Sequence, residues 1–169
     1  MKKTVYKGKY IRVIQENING HIWERAYAHP CVHVIPITED KKILIIREFR
    51  EEEGKERWNF VSGLLENDNV LEEANRELAE EAGFRAEILD EYYSVEPKSV
   101  LNRKRIFVIA KKLKQFKAEH KDHGHTLEIK AFTIDELFSM ALEGEFGYSD
   151  IVIAVLKLHR DAKNGSIIL

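Results

Sequence analysis

Gly63-Leu64-Leu65-Glu66-Asn67-Asp68-Asn69-Val70-Leu71-Glu72-Glu73-Ala74-Asn75-Arg76-Glu77-Leu78-Ala79-Glu80-Glu81-Ala82-Gly83-Phe84 starts as a loop, turns into a helix and ends on a glycine. Val70, Leu71, Ala74 and Leu78 share one apolar face, which predicts a helix over Val70 to Ala82 with Gly83 as its stop. Glu77, Glu80 and Glu81 then stand at i, i+3 and i+4, so their carboxylates are expected on one patch. Like charges so close repel one another unless a counter-charge arrives. A hard divalent cation suits the need, because Mg²⁺ takes oxygen ligands, keeps several waters and bridges to phosphates. The plain alternative is a solvated acidic helix face. The frame of glycine, loop, helix, glycine and aromatic weighs against it.

Upstream, the chain reads as strands. Tyr10 to Ile18 and His21 to Ala28 flank Asn19-Gly20, a two-residue turn that tolerates positive φ, and so predict a hairpin. Cys31 to Thr38 and Lys42 to Phe49 are expected to form a second pair across Glu39-Asp40. Ile43 to Ile46 is apolar on both faces, as in a central strand covered on both sides. Downstream, strands are expected at Ala86 to Tyr93, Arg105 to Lys111 and Leu127 to Phe132. Thr133-Ile134-Asp135-Glu136 is a capping box that opens a helix to about Leu142, and Ser149 is expected to cap a last helix through Arg160. Helices fall among strands without regular βαβ alternation, which favours a mixed sheet with helices packed on it.

Bulk properties bound the partners. The 169 residues suit one domain, and 44% apolar with 33% charged residues fits a globular chain. A formal net charge of -2 gives no global drive toward nucleic acid or anionic membrane, so phosphate binding has to come from a local site. No apolar run approaches a membrane span, and no apolar signal core follows the two N-terminal lysines. Cys31 is the single cysteine; it excludes an internal disulfide framework and, with no leader in view, points to the cytoplasm.

Arg76-Glu77-Leu78-Ala79-Glu80-Glu81-Ala82-Gly83-Phe84 resembles the Nudix hydrolase signature, G-x5-E-x7-R-E-U-x-E-E-x-G-U with U aliphatic or aromatic, at every specified position of its second half. The first half departs from it. Gly63 lies one residue too close to Arg76, and Asp68 or Asn69 stands where the upstream glutamate is expected. Trp58-Asn59-Phe60-Val61-Ser62-Gly63 resembles the W-E-x-P-A-G strand of ADP-ribose and nucleoside-diphosphate-sugar hydrolases, and His29 to Pro36 with Leu44 to Arg50 resembles their paired strands. Pro97 lies near a proline found in ADP-ribose-cleaving members.

This resemblance implies a Nudix-type α/β fold over residues 1–169, an α/β/α sandwich with a mixed sheet. It also implies an N-terminal β-hairpin extension, residues 1–30, of the kind such enzymes use in a homodimer. It implies Mg²⁺, or Mn²⁺, held by Glu77, Glu80, Glu81 and the backbone carbonyl of Ser62, with one of the glutamates also polarising the attacking water. Arg76 is expected to pair with a carboxylate and orient the helix. Arg50 and Arg25 match positions that contact the diphosphate or terminal ribose, and equally fit arginines solvated at strand ends. Asp122 and Glu128 are candidates for a further acidic ligand or base.

Other residues have plainer readings. Arg103-Lys104-Arg105 before a strand fits substrate contact or solvated arginines in the same way, and is read as surface first. Trp23, Tyr92 and Tyr93 are read as core aromatics before base-stacking ones, and Cys31 as a buried small hydrophobe. His120, His123 and His125 suggest a lid loop before a zinc site. The expected reaction is hydrolysis of ADP-ribose or a nucleoside-diphosphate sugar to a nucleoside monophosphate and a sugar phosphate. Nucleoside triphosphates, dinucleoside polyphosphates or a binding module without turnover are the alternatives.

Overall fold

The computed structural model describes residues 2–51, 53–117, 126–167 and 169. Asp122 and the three histidines around it lie outside the described residues. The N-terminal strands are β1 (Lys2–Lys7), β2 (Ile11–Ile18) and β3 (His21–Ala28). They are followed by β4 (Cys31–Pro36), β5 (Ile43–Arg50), β6 (Lys55–Asn59), β7 (Val61–Leu64) and helix α1 (Val70–Ala82). Next come β8 (Phe84–Val95), β9 (Leu101–Asn102), β10 (Arg105–Gln115), β11 (Thr126–Phe132), α2 (Ile134–Glu143) and α3 (Ser149–Lys163). Among the described residues, no helix is long and apolar enough to cross a membrane.

The Asn19-Gly20 turn makes the β2–β3 hairpin as expected, with both residues at positive φ. The expected pairing of Cys31 to Thr38 with Lys42 to Phe49 is corrected by the structure. Only Ile37 bridges Ile43, after which the two strands diverge into different sheets. β4 lies in the order β7-β4-β10-β8 and is parallel to β10, whereas β5 lies in the order β11-β5-β6. The mixed sheet of the body is thus two sheets, and β1, β2, β3 and β9 form a third.

Alternation along β4, β5 and β10 builds two cores. Val32, Val34, Ile46, Ile106 and Val108 pack with Ala74, Leu78 and Ala82 of α1. Ile35, Ile43, Ile45, Phe107 and Ile109 pack on the other side with Leu137 of α2 and Ile151, Val155 and Leu158 of α3. The result is an α/β/α sandwich with α1 on one face and the C-terminal helices on the other. Every residue from Ile43 to Ile46 is buried, as its apolar character on both faces requires, and so is every residue from Cys31 to Pro36. Tyr93 stacks against Phe107 with ring centroids 5.7 Å apart, and the Tyr92 hydroxyl donates to Asp161 at 2.7 Å, so both are packing residues. Trp23, by contrast, is exposed.

The capping box forms as expected. Thr133 Oγ1 accepts the Glu136 amide at 3.2 Å, and Glu136 accepts the Thr133 amide at 2.7 Å. The expected cap on α3 is corrected. The N-cap is Tyr148, which makes no side-chain capping bond, and Ser149 is already helical.

Candidate active site

Helix α1 begins where its sequence says it should. Asn69 caps it by accepting the Glu72 amide, and Gly83 closes it in the left-handed conformation at φ 70°. The helix lies against β7, and the closest approach decides the residue at 63. A Cβ on Gly63 would sit 1.9 Å from Glu77 Oε1, so only glycine lets the strand pass over that carboxylate.

The three glutamates lie on one turn of α1, and two of them share a counter-charge within the chain. Arg76 collects Glu73, Glu77 and Glu80, the last at 2.6 Å from its Nη1. Glu81 turns instead to β7 and accepts the Ser62 amide at 3.0 Å. Among the described residues, no three acidic, histidine or cysteine side chains stand close enough to share an ion. Carboxylates on one helix turn close on the guanidinium within reach, which supplies them with a counter-charge. Burial acts against the Arg76 charge, but Glu73, Glu77 and Glu80 outweigh it and hold the group more firmly protonated than usual.

Burial also raises the Glu77 pKa, which Arg76 opposes. Glu81 is pushed up to about 8, chiefly by burial; the Ser62 amide opposes the rise, while Glu48 and Glu77 add to it and Arg50 subtracts. Among the described residues, Glu81 has an amide donor but no cation in hydrogen-bonding contact with it. The donor set around α1 and β7 is all oxygen, as a hard divalent ion requires, and such an ion would favour the ionised form of Glu81 that burial disfavours.

Beyond β7 a cavity of about 170 Å³ opens toward the head of α3. Ser62 and Gly63 form its near wall, and Arg50, Arg103, Arg105 and Asp150 reach into it. Arg105 Nε donates to Asp150 Oδ2 at 2.6 Å, and Arg50 pairs with Glu48 while its guanidinium lies 5.0 Å from the Tyr148 ring centre. His33 stacks on Phe107 in the same wall; burial and then the nearby arginines push its pKa down to about 3, so it stays neutral. An acidic helix turn thus adjoins a cationic cavity, an arrangement that can hold a metal and a phosphate chain side by side.

The NUDIX domain pattern matches residues 28–154 of the chain. The chain belongs to the Nudix family. Membership carries pyrophosphohydrolase activity, and the chain is a Nudix hydrolase. A comparison with curated protein sequences returned no match. The solved crystal structure of an ADP compounds hydrolase has the same fold, with a TM-score of 0.79 and 24% identity over 99% of this chain and 95% of that one.

With the Nudix helix as reference, the expected site residues separate into groups. Glu77, Glu81 and Ser62 meet at the α1–β7 contact, and Glu80 lies on Arg76 beside them. Arg50 lies on the cavity wall. Arg25 is on β3, paired with Glu16 at 3.4 Å, and is not among the cavity's lining residues. Glu128 is bound to Arg47 at 2.8 Å, and Arg47 and Arg50 fall on alternate faces of β5. Arg103 and Arg105, expected at the surface, line the cavity; only Lys104 between them is exposed. Sequence reasoning also missed Glu73, which is buried and holds Arg76, although its i,i+3 spacing to that arginine was a usable signal. Asp150 gave no such sign, because the contact with Arg105 spans the fold.

Proposed function

We infer that this Nudix hydrolase cleaves the diphosphate bond of ADP-ribose or a nucleoside-diphosphate sugar, releasing a nucleoside monophosphate and a sugar phosphate. The observation that carries the reading is the arginine-lined cavity set against the Glu77–Glu81 turn across Ser62 and Gly63. A diphosphate lying across that wall has carboxylates on one side and guanidinium groups on the other. The name of the solved relative, an ADP compounds hydrolase, falls in the same substrate class.

Glu77, Glu80, Glu81 and the Ser62 carbonyl would hold Mg²⁺ or Mn²⁺, with Glu77 and Glu80 turning away from Arg76 to do so. When bound, the cation neutralises charge on the phosphoryl oxygens and supplies a more acidic water. Arg76 keeps Glu73 and α1 in register as its other partners leave, and Arg50 orients the diphosphate. Asp122 or Glu128 would serve as a further acidic ligand or base, and Arg25 would contact substrate from the N-terminal sheet. That sheet is the surface on which a second copy of the chain would pack as a homodimer. The buried free thiol of Cys31 fits the cytoplasm.

The test is a panel of ADP-ribose, GDP-mannose, UDP-glucose and nucleoside triphosphates with Mg²⁺, with products identified. The expected result is cleavage of a diphosphate compound to a monophosphate pair. Cleavage of triphosphates alone would remove the substrate class. Binding without turnover of any compound would leave a nucleotide-binding module.

A further inference from the structure

We propose that the cavity beside the Nudix helix is a phosphoryl subsite for the sugar-phosphate half of the substrate, with Arg103 as its specificity-determining residue. The proposal rests on the diphosphate-hydrolase reading above and adds which half of the substrate enters the cavity and which side chain selects it.

Charge is the first ground. Three guanidinium groups, from Arg50, Arg103 and Arg105, line the cavity together with one carboxylate, Asp150. Arg105 is taken by Asp150 and Arg50 by Glu48. Among the described residues no carboxylate pairs with Arg103, and its buried Nε has no hydrogen-bond partner; neither has the Nε of Arg50. Buried donors left unmatched are costly, and an anion with several acceptor oxygens satisfies them in the fork geometry that guanidinium groups prefer.

The head of α3 is the second ground. The helix runs from Ser149 to Lys163, and its N-cap Tyr148 offers no side-chain acceptor to the first-turn amides. Tyr148 and Asp150 both line the cavity. An uncapped helix start at the wall of a cationic cavity adds backbone donors and the positive end of the helix dipole to the same place.

The choice of half follows from what the wall lacks. Two aromatic rings line the cavity: the Arg50 guanidinium lies over Tyr148, and His33 is buried and stacked on Phe107, so a base finds no open ring to stack on. Asp150 and the guanidinium donors suit hydroxyl groups and phosphoryl oxygens instead. A sugar phosphate presents both.

The experiment is calorimetric titration of the full-length, metal-free protein with ribose 5-phosphate and, separately, AMP. It is paired with steady-state kinetics on ADP-ribose in Mg²⁺. Ribose 5-phosphate is expected to bind, and Arg103→Gln to weaken it about tenfold. In turnover the same variant is expected to raise KM about tenfold while kcat stays within about twofold, the pattern of lost ground-state binding. Lys104→Gln, the same charge change at the exposed neighbour, should alter neither. If Arg103→Gln does not fold, Arg103→Lys keeps the charge but loses the fork, and several-fold weaker binding is expected.

No binding of ribose 5-phosphate to the wild type overturns the subsite. So does equal binding by wild type and Arg103→Gln, or loss of AMP binding in its place. Binding that depends on Arg103 in a protein that hydrolyses no diphosphate would sustain the subsite and refute the reaction. Turnover with KM and binding indifferent to Arg103 would do the reverse.

Discussion

Glu81 is half-buried between an amide donor and two other carboxylates, and this makes its protonation a stability matter. Its folded-state pKa is pushed up to about 8 from an ordinary 4.5. Below about pH 4.5 the group is protonated in both folded and unfolded chains and contributes nothing to the balance. Between about 4.5 and 8 the unfolded chain gives up the proton that the folded chain keeps, so metal-free protein should lose stability as pH rises through that window. Partial exposure limits the loss to roughly 1–3 kcal/mol, or several degrees of Tm. Thermal melts in EDTA from pH 5 to pH 8.5 would show the slope, and Glu81→Gln should flatten it. Mg²⁺ should restore stability at the alkaline end, because it favours the ionised form. The same variant should lower kcat by at least about a hundredfold, as loss of a ligand to an activating metal does. A slope unchanged in Glu81→Gln would show that another group titrates there.

The contact between β7 and α1 places the site, and Gly63 is where it is tightest. Gly63→Ala would drive a methyl group into the Glu77 carboxylate, 1.9 Å from its Oε1, and either the strand or the glutamate has to move. The expected cost is about 1–3 kcal/mol of stability together with weaker Mn²⁺ binding, read by electron paramagnetic resonance. Undiminished Mn²⁺ affinity would mean that Glu77 can leave the strand without harm. Helix α1 was legible from sequence to the residue, because its apolar face and its stop at Gly83 are local signals; the cap at Asn69 is a further local signal that the sequence reading did not use. The α2 capping box was legible for the same reason. Local pattern is silent on partners distant in sequence. Nothing in Cys31 to Phe49 says that one strand will pair with β7 and β10 while the next pairs with β6 and β11. Nor does alternation alone reveal that Arg103 and Arg105 meet the head of α3 and not water. Tyr148 at the N-cap breaks the local rule that Ser149 seemed to obey, and it does so at the cavity wall, where such departures tend to accompany a binding role.

On the scale of the whole molecule, the N-terminal sheet lacks a core of its own. Among the described residues of β1, β2 and β3, none joins either of the two buried clusters. Tyr6, Ile22 and Trp23 are exposed on it, and Tyr10 is exposed in the turn between β1 and β2. Small antiparallel sheets are marginal without something packed on a face, and clustered exposed aromatic and aliphatic side chains mark surfaces that associate. A second copy covering this sheet would supply the missing contacts, and obligate homodimers typically bury about 2,000 Å² or more in such interfaces. The chain should therefore sediment with twice the mass of one protomer at micromolar concentration. Ile22 and Trp23 are neighbours on β3 and so point to opposite faces of the sheet. Ile22→Glu and Trp23→Glu, made separately, should differ in effect: the one on the covered face should dissociate the dimer and lower Tm by several degrees, and the other should leave both unchanged. If both variants stay dimeric, the interface lies off this sheet. If the wild type sediments as a monomer, the exposed apolar residues of the sheet need a different occupant.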